Sequence, residues 1–254
     1  MNSRAWETGL NRPTADSGGA VSSPIRAYWP FLALVLLALI LRAPTYGDPD
    51  TALDEQFYLL VGDRMLHGAL PYVDIWDRKP VGLFLIYAAI RLLGGDGFIQ
   101  YQVVAALFAG VTAAFIWLIA RRMTGSFPAA IAGISYLLWT NIFAGGAGQS
   151  PIFYNALIAG AALLAFRSAS CPDPDMVERR GALVMLLFGL VLQIKYTAAP
   201  EGLLFGLWFL WRLRSLGRNW SRIAASAIMS GLLGLAPTLA VTAIYAAIGH
   251  LDAF

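Results

Sequence analysis

Apolar residues along the chain fall into long runs separated by short polar breaks, a spacing that predicts helices with lipid on several sides and offers no alternation of the strand type. Runs that predict membrane-crossing helices cover residues 28–41, 99–120, 127–144, 152–166, 182–194, 197–211 and 223–248. The first 26 residues are polar and small, hold Pro13 and Pro24, and read as a disordered tail. Between the first two runs lies a stretch, 43–98, with a different pattern. In it Leu53, Phe57, Leu60, Val61 and Met65 recur near helical spacing, with Asp54, Glu55, Asp63 and Arg64 elsewhere around the helix, which predicts a helix lying in the membrane interface. A second apolar piece, 81–93, contains Arg91 and is too short for a span, so it also predicts a surface helix.

Charge decides how these runs are threaded. If 81–93 stays outside the bilayer, then Arg4, Arg12, Arg26, Arg121, Arg122, Arg167, Arg179, Arg180, Arg212, Arg214, Arg218 and Arg222 all fall on one side. Basic loops face the cytoplasm, so that side is cytoplasmic, as is the N-terminus. Counting 81–93 as a span reverses every later cluster. The reading is therefore an all-α integral membrane protein of about seven transmembrane helices, with two external juxtamembrane helices in the first loop, forming one module over 27–254.

Composition agrees, with 58% hydrophobic and 13% charged residues in 254. A net charge of +3, dispersed between apolar runs, is an orienting pattern and excludes a nucleic-acid partner. The single cysteine, Cys171, excludes an internal disulfide. There is no Gly-rich phosphate loop, and no His or Cys pair at metal-ligand spacing.

Candidate chemistry concentrates in the first external loop, which holds Asp48, Asp50, Asp54, Glu55, Asp63, Asp74, Asp77 and Asp96, eight of the fifteen acidic residues. Asp54 and Glu55 open the predicted interfacial helix. Thr51 and Asp54 also match a capping box, and acids in a first turn suit the helix dipole. The same loop carries PYVDIWDRKP, which sets Asp74, Asp77, Arg78 and Lys79 among aromatic residues at the expected membrane surface. A carboxylate there suits a general base toward a sugar or lipid hydroxyl, and a lysine suits a phosphate. Lys79 precedes Pro80 and is held at a bend, although a snorkelling anchor has the same signature. Lys195 interrupts an apolar run. It either marks an external turn or faces a polar cavity as an anion ligand, with Glu201 as its candidate ion-pair partner. Gln149 and Asn155, in GGAGQSPIFYN, sit in a further external turn with turn chemistry of its own. Asp48-Pro-Asp50 is the one pair of acids that suggests a divalent cation, and two acids before a helix are common without one.

The segment DEQFYLLVGDRMLHGALPYVDIWDRKPVGLFLIYAAIRLLGG, followed by a span ending in ARRMTG, resembles the N-terminal half of the polyprenyl-phosphate-sugar-dependent glycosyltransferases of the GT-C fold. That group includes the dolichyl-phosphate-mannose protein mannosyltransferases and the lipid A aminoarabinose transferases. LFGLVLQIKYTAAPEGL resembles the family's span that ends in a lysine turn. The resemblance implies a GT-C-like bundle over roughly 28–254 and inverting transfer of a sugar from a polyprenyl-phosphate donor to an acceptor hydroxyl on a glycan, lipid or protein, at the outer face of the plasma membrane. Asp54 takes the place of the catalytic aspartate with Glu55 beside it, Lys79, Lys195 and Arg78 of the donor-phosphate cations, and Tyr58, Asp74, Asp77, Gln149 and Asn155 of substrate contacts. No cofactor is implied and no metal ligand assigned. The chain departs from the family in lacking a carboxylate in GQSPIFYN, and relatives run longer, so the resemblance implies a C-terminally truncated module. Two other functions share these features: a non-catalytic lipid-phosphate-binding or assembly subunit, and a lipid or solute transporter. The second is disfavoured by the crowding of charge into one loop.

Overall fold

The computed structural model describes residues 24–49, 53–143 and 147–254, with side chains from residue 29 onward. The tail assigned to 1–26 lies outside the described residues apart from Pro24–Arg26, which form the first turn of a helix. Thr51 and Asp50 lie outside them too.

Among the described residues there are nine α-helices and no strand: α1 Pro24–Arg42, α2 Leu53–Leu66, α3 Val81–Arg91, α4 Phe98–Ala120, α5 Ser126–Ile142, α6 Ser150–Ala169, α7 Pro174–Leu192, α8 Ala199–Ser215 and α9 Trp220–Ala247. All seven runs expected to cross the membrane are helical, and so are both expected surface pieces. Three helices, α4, α6 and α9, are long and apolar enough to cross a bilayer by length and composition. Outward-facing Leu203, Leu207, Trp211, Ile228, Leu232 and Leu239 are exposed, which suits lipid and not water. The protein is an all-α membrane protein.

The helix ends follow local chemistry. Asp173 caps α7 by accepting from the Asp175 N–H, and Asn219 caps α9 by accepting from the Arg222 N–H at 2.9 Å. Pro80 precedes α3 in an extended conformation, satisfying the bend expected at Lys79.

α4 is the centre of the first half. Ala105, Ala109, Ala113 and Ala114 are fully buried, and a Cβ on Gly110 would stand 2.7 Å from the Val35 Cα of α1. Small residues here let helix backbones approach without a hydrophobic driving force between them. A second core forms where Val177, Val184, Phe188 and Val191 of α7 meet Phe209 and Leu213 of α8.

Hydrogen bonds across the first loop determine its placement. The Gly47 N–H, just past α1, donates to Gln102 Oε1 at 2.7 Å, and Gln102 Nε2 donates to the Asp48 carbonyl at 2.9 Å. The chain therefore leaves α1 and enters α4 at the same end of the bundle, and α2 and α3, 14 and 11 residues long, are short for a span. Other contacts reach this end: Tyr87 Oη donates to the Gly148 carbonyl at 2.8 Å, the Leu83 N–H to the Gln193 carbonyl at 3.1 Å, and Tyr245 Oη to the Pro71 carbonyl at 2.8 Å. The turns before α6 and α8 and the end of α9 thus meet one layer built from α2 and α3. The arginine-bearing turns lie at the other end, where Arg212 reaches the Ser168 and Cys171 carbonyls and Arg222 pairs with Glu178 at 3.3 Å.

The apolar positions of α2 divide between two faces, with Phe57, Val61 and Met65 packed toward the core. Leu53 and Leu60 face outward, while Glu55, Tyr58, Leu59, Val61 and Gly62 are buried. Close packing on α3 decides this: a Cβ on Gly62 would lie 2.6 Å from the Ala88 nitrogen. Asp63 and Arg91 then pair at 2.9 Å, which accounts for the charge in the second surface helix. Gly62→Ala is accordingly expected to lower stability by about 1–3 kcal/mol, because backbone has to shift, not a flexible side chain. Thermal unfolding of the detergent-solubilised protein measures this, and an unchanged midpoint would contradict the packing.

Candidate active site

α2 carries three candidate residues, Asp54, Glu55 and Tyr58, of which Asp54 alone is exposed. Asp54 sits in the first turn, 57% exposed, and one turn later Tyr58 Oη donates to Asp54 Oδ2 at 3.1 Å. Lys79 arrives from the other side of the loop, its side chain only 15% exposed. Its Nζ lies 4.0 Å from Asp54 Oδ2 and 5.5 Å from the centre of the Tyr58 ring. At that distance and exposure the ion pair is loose and water-screened, worth about 1 kcal/mol at most. An anion of higher charge can therefore draw the ammonium away from Asp54. Burial and the Asp54 carboxylate push the Tyr58 hydroxyl well above its usual range, so it remains a neutral donor.

Glu55 does not share the exposed site of its neighbour. It is fully buried, and neither carboxylate oxygen has a hydrogen bond of good geometry. Desolvation raises its pKa, with the Asp54 charge adding to the rise; Gln149 and Lys79 oppose it. The pull of Gln149 signals proximity short of a formed hydrogen bond. Burial thus pushes Glu55 toward its neutral form and closes its oxygens to solvent, whereas Asp54 is exposed. Since the native state holds this proton more tightly than the unfolded chain, stability falls as pH rises above the ordinary value of 4.5. Glu55→Gln is expected to remove that slope, and its gain over the wild type should grow from about pH 4.5 upward in thermal unfolding. A constant difference across pH would refute burial of the proton.

The remaining candidates divide. Asp74 Oδ2 accepts from the Leu70 N–H at 2.7 Å and Asp77 Oδ1 from the Lys79 N–H at 2.7 Å, so both carboxylates shape the turn that presents Lys79. Arg78 is exposed and meets none of the other candidates. Gln149 lies beside Glu55, whereas Asn155 Nδ2 donates to Tyr136 Oη at 3.3 Å, between α6 and α5. Lys195 follows the end of α7 in an extended conformation and opens a single 3₁₀ turn, Tyr196–Ala198. It therefore occupies a turn at the site end of the bundle. The expected pair with Glu201 does not form: no ion pair joins them, and Glu201 faces Tyr154. Among the described residues, no three of His, Cys, Asp and Glu gather where they could share a cation.

Tyr58, a candidate contact by sequence, heads a layer of tyrosines beneath the site whose other members sequence reasoning passed over. Tyr58, Tyr87 and Tyr101 are buried with ring centres 5.5 and 5.8 Å apart in succession, and Tyr72, Tyr245 and Phe254 form a second group beside Lys79. Their only sequence signal is the recurrence of Tyr at this end of the helices, since its polar tip needs a partner when buried.

Comparison with known proteins agrees with this architecture. The family model described as dolichyl-phosphate-mannose-protein mannosyltransferase matches residues 77–241, a stretch that contains Lys79, Gln149, Asn155 and Lys195 and begins after α2. Neither the curated proteins nor the solved structures yield a match. With well over half of its length matched, and with a GT-C-like helical bundle, the chain belongs to the dolichyl-phosphate-mannose-protein mannosyltransferase family of membrane glycosyltransferases.

Proposed function

We propose that this protein transfers a sugar, with inversion, from a polyprenyl-phosphate donor to an acceptor hydroxyl of a glycan, lipid or protein on the extracytoplasmic face of the plasma membrane. The observation that carries the proposal is the placing of Lys79 Nζ 4.0 Å from the Asp54 carboxylate, on a layer at one end of a membrane helix bundle. The acceptor oxygen attacks the anomeric carbon from the side opposite the phosphate. A carbon–oxygen bond to the acceptor forms, the anomeric carbon–phosphate oxygen bond breaks, and its electron pair leaves on the lipid phosphate. Asp54 takes the acceptor proton. Lys79 stabilises the charge growing on the phosphate, with Lys195 at the same end as the second cation and Arg78 in solvent range. Glu55, buried and with its pKa raised by desolvation, lessens the negative charge that would oppose the phosphate. Tyr58 orients the base.

The arginines support a sidedness. Arg121, Arg122, Arg167, Arg179, Arg180, Arg212, Arg214, Arg218 and Arg222 lie on turns and helix ends away from the site, which supports a cytoplasmic location for them and an external one for Asp54. A donor whose phosphate is tethered to the bilayer suits a site at that surface.

The full chain in proteoliposomes, given polyprenyl-phosphate-linked mannose and a mixture of peptide, glycan and lipid acceptors, should form a glycosylated product. A nucleotide sugar should yield none. Binding of the donor without product would instead identify a lipid-phosphate-binding subunit, and absence of both would refute the site.

A further inference from the structure

Tyr72 is the one non-glycine among the described residues with a positive φ, at 69°. A left-handed backbone is unfavourable for an aromatic residue and persists only where the surroundings hold it. Here they do so on three sides. The Tyr72 N–H donates to the Ile75 carbonyl at 2.7 Å. Its ring packs 5.9 Å from Tyr245 and 5.8 Å from Phe254, which themselves stack at 5.1 Å. Tyr245 Oη is bonded to the preceding carbonyl, that of Pro71, at 2.8 Å in a buried position.

So anchored, the Tyr72 hydroxyl donates to the Lys79 carbonyl at 2.6 Å. The Lys79 N–H is bound in turn to Asp77, and Pro80 follows. Every backbone freedom of the lysine is thereby taken up, leaving its side chain to run over the Tyr58 ring toward Asp54. Tyr196, the residue after Lys195, also approaches the Tyr72 hydroxyl. One side chain joins the end of α9, the turn after Lys195 and the backbone of Lys79.

We propose that Tyr72 is a positioning residue for donor binding, holding Lys79 where its ammonium meets the lipid phosphate. The inference rests on the reading in which Lys79 binds that phosphate. Preorganisation of this kind strengthens binding by reducing the ordering needed when the ligand arrives.

The test is a double-mutant cycle on the full chain in proteoliposomes, with polyprenyl phosphate as the probe and its dissociation constant as the readout. Lys79→Ala should weaken binding. Tyr72→Phe, which keeps the ring and removes only the hydroxyl, should weaken it about 3–10-fold, the size of one hydrogen bond. In the Lys79→Ala background, Tyr72→Phe should have no further effect. A merely structural tyrosine would weaken binding equally in both backgrounds, and that result overturns the proposal, as does wild-type affinity in Tyr72→Phe. If Lys79→Ala itself binds normally, the phosphate role of Lys79 is refuted and the positioning role with it. Should Tyr72→Phe lose its thermal transition, Tyr245→Phe interrupts the same chain one step earlier and completes the cycle, with the same two results expected and excluded.

Discussion

Asp54→Asn should reduce sugar transfer by about 10²–10⁴-fold while leaving expression, membrane insertion and donor binding intact. The substitution keeps size and hydrogen-bonding shape, so Tyr58 Oη still has an oxygen to donate to at the place where it now meets Oδ2. What disappears is the capacity to accept a proton. The competing explanation for an acid at this position is electrostatic, since a carboxylate in the first turn of α2 stabilises the helix dipole. That role is worth only a few tenths to one kcal/mol at an exposed site, and it would appear as a small loss of stability with an unchanged rate. Turnover measured with saturating donor, beside thermal unfolding of the same preparation, separates the two. An undiminished rate would remove Asp54 from the mechanism. Glu55 offers no substitute base, because burial favours its neutral form and its oxygens are closed to solvent.

The second large effect is expected at Lys79. Lys79→Ala removes a charge-assisted contact to phosphate, typically about 1.5–3 kcal/mol, and should raise the donor dissociation constant about 10–100-fold. Affinity for the uncharged polyprenol should be unaltered, since only the phosphate loses a partner. The loose pairing with Asp54 explains why the loss should register in binding more than in folding: a pair 4.0 Å apart with a half-exposed carboxylate contributes little to stability. Equal weakening for the phosphate and the alcohol would show that Lys79 acts only through the shape of its loop.

Much of the fold is legible in the chain. The seven long apolar runs and both short ones appear as helices, with only α7 starting well before its expected limit, since lipid forces every backbone group in a span to find its partner locally. The exclusion of 81–93 from the spans, argued from arginine distribution, agrees with the Gly47–Gln102–Asp48 bonds that return the loop to its starting end. The burial of Glu55 was not legible: periodicity set it apart from the apolar positions of α2, whereas Gly62 allows α3 to approach closely and Glu55 lies in the core. At the site, Asp54 and Lys79 were recognisable from their residue types and the bend at Pro80. Asp74 and Asp77, expected as substrate contacts, accept from backbone N–H groups in the turn that presents Lys79, a pairing that residue type alone does not record.

Sequence alone determined the helical class, the membrane setting, the acidic loop and the residue types able to serve as base and phosphate ligand. Those depend on local chemistry and on hydrophobic period, which a one-dimensional pattern records. Tertiary structure decided which carboxylate stays exposed beside Lys79 and which is buried, and it brought Tyr72, Tyr245 and Phe254 together across 182 positions of chain. Such outcomes turn on desolvation and on contacts between distant segments, and both exist only once the helices have packed.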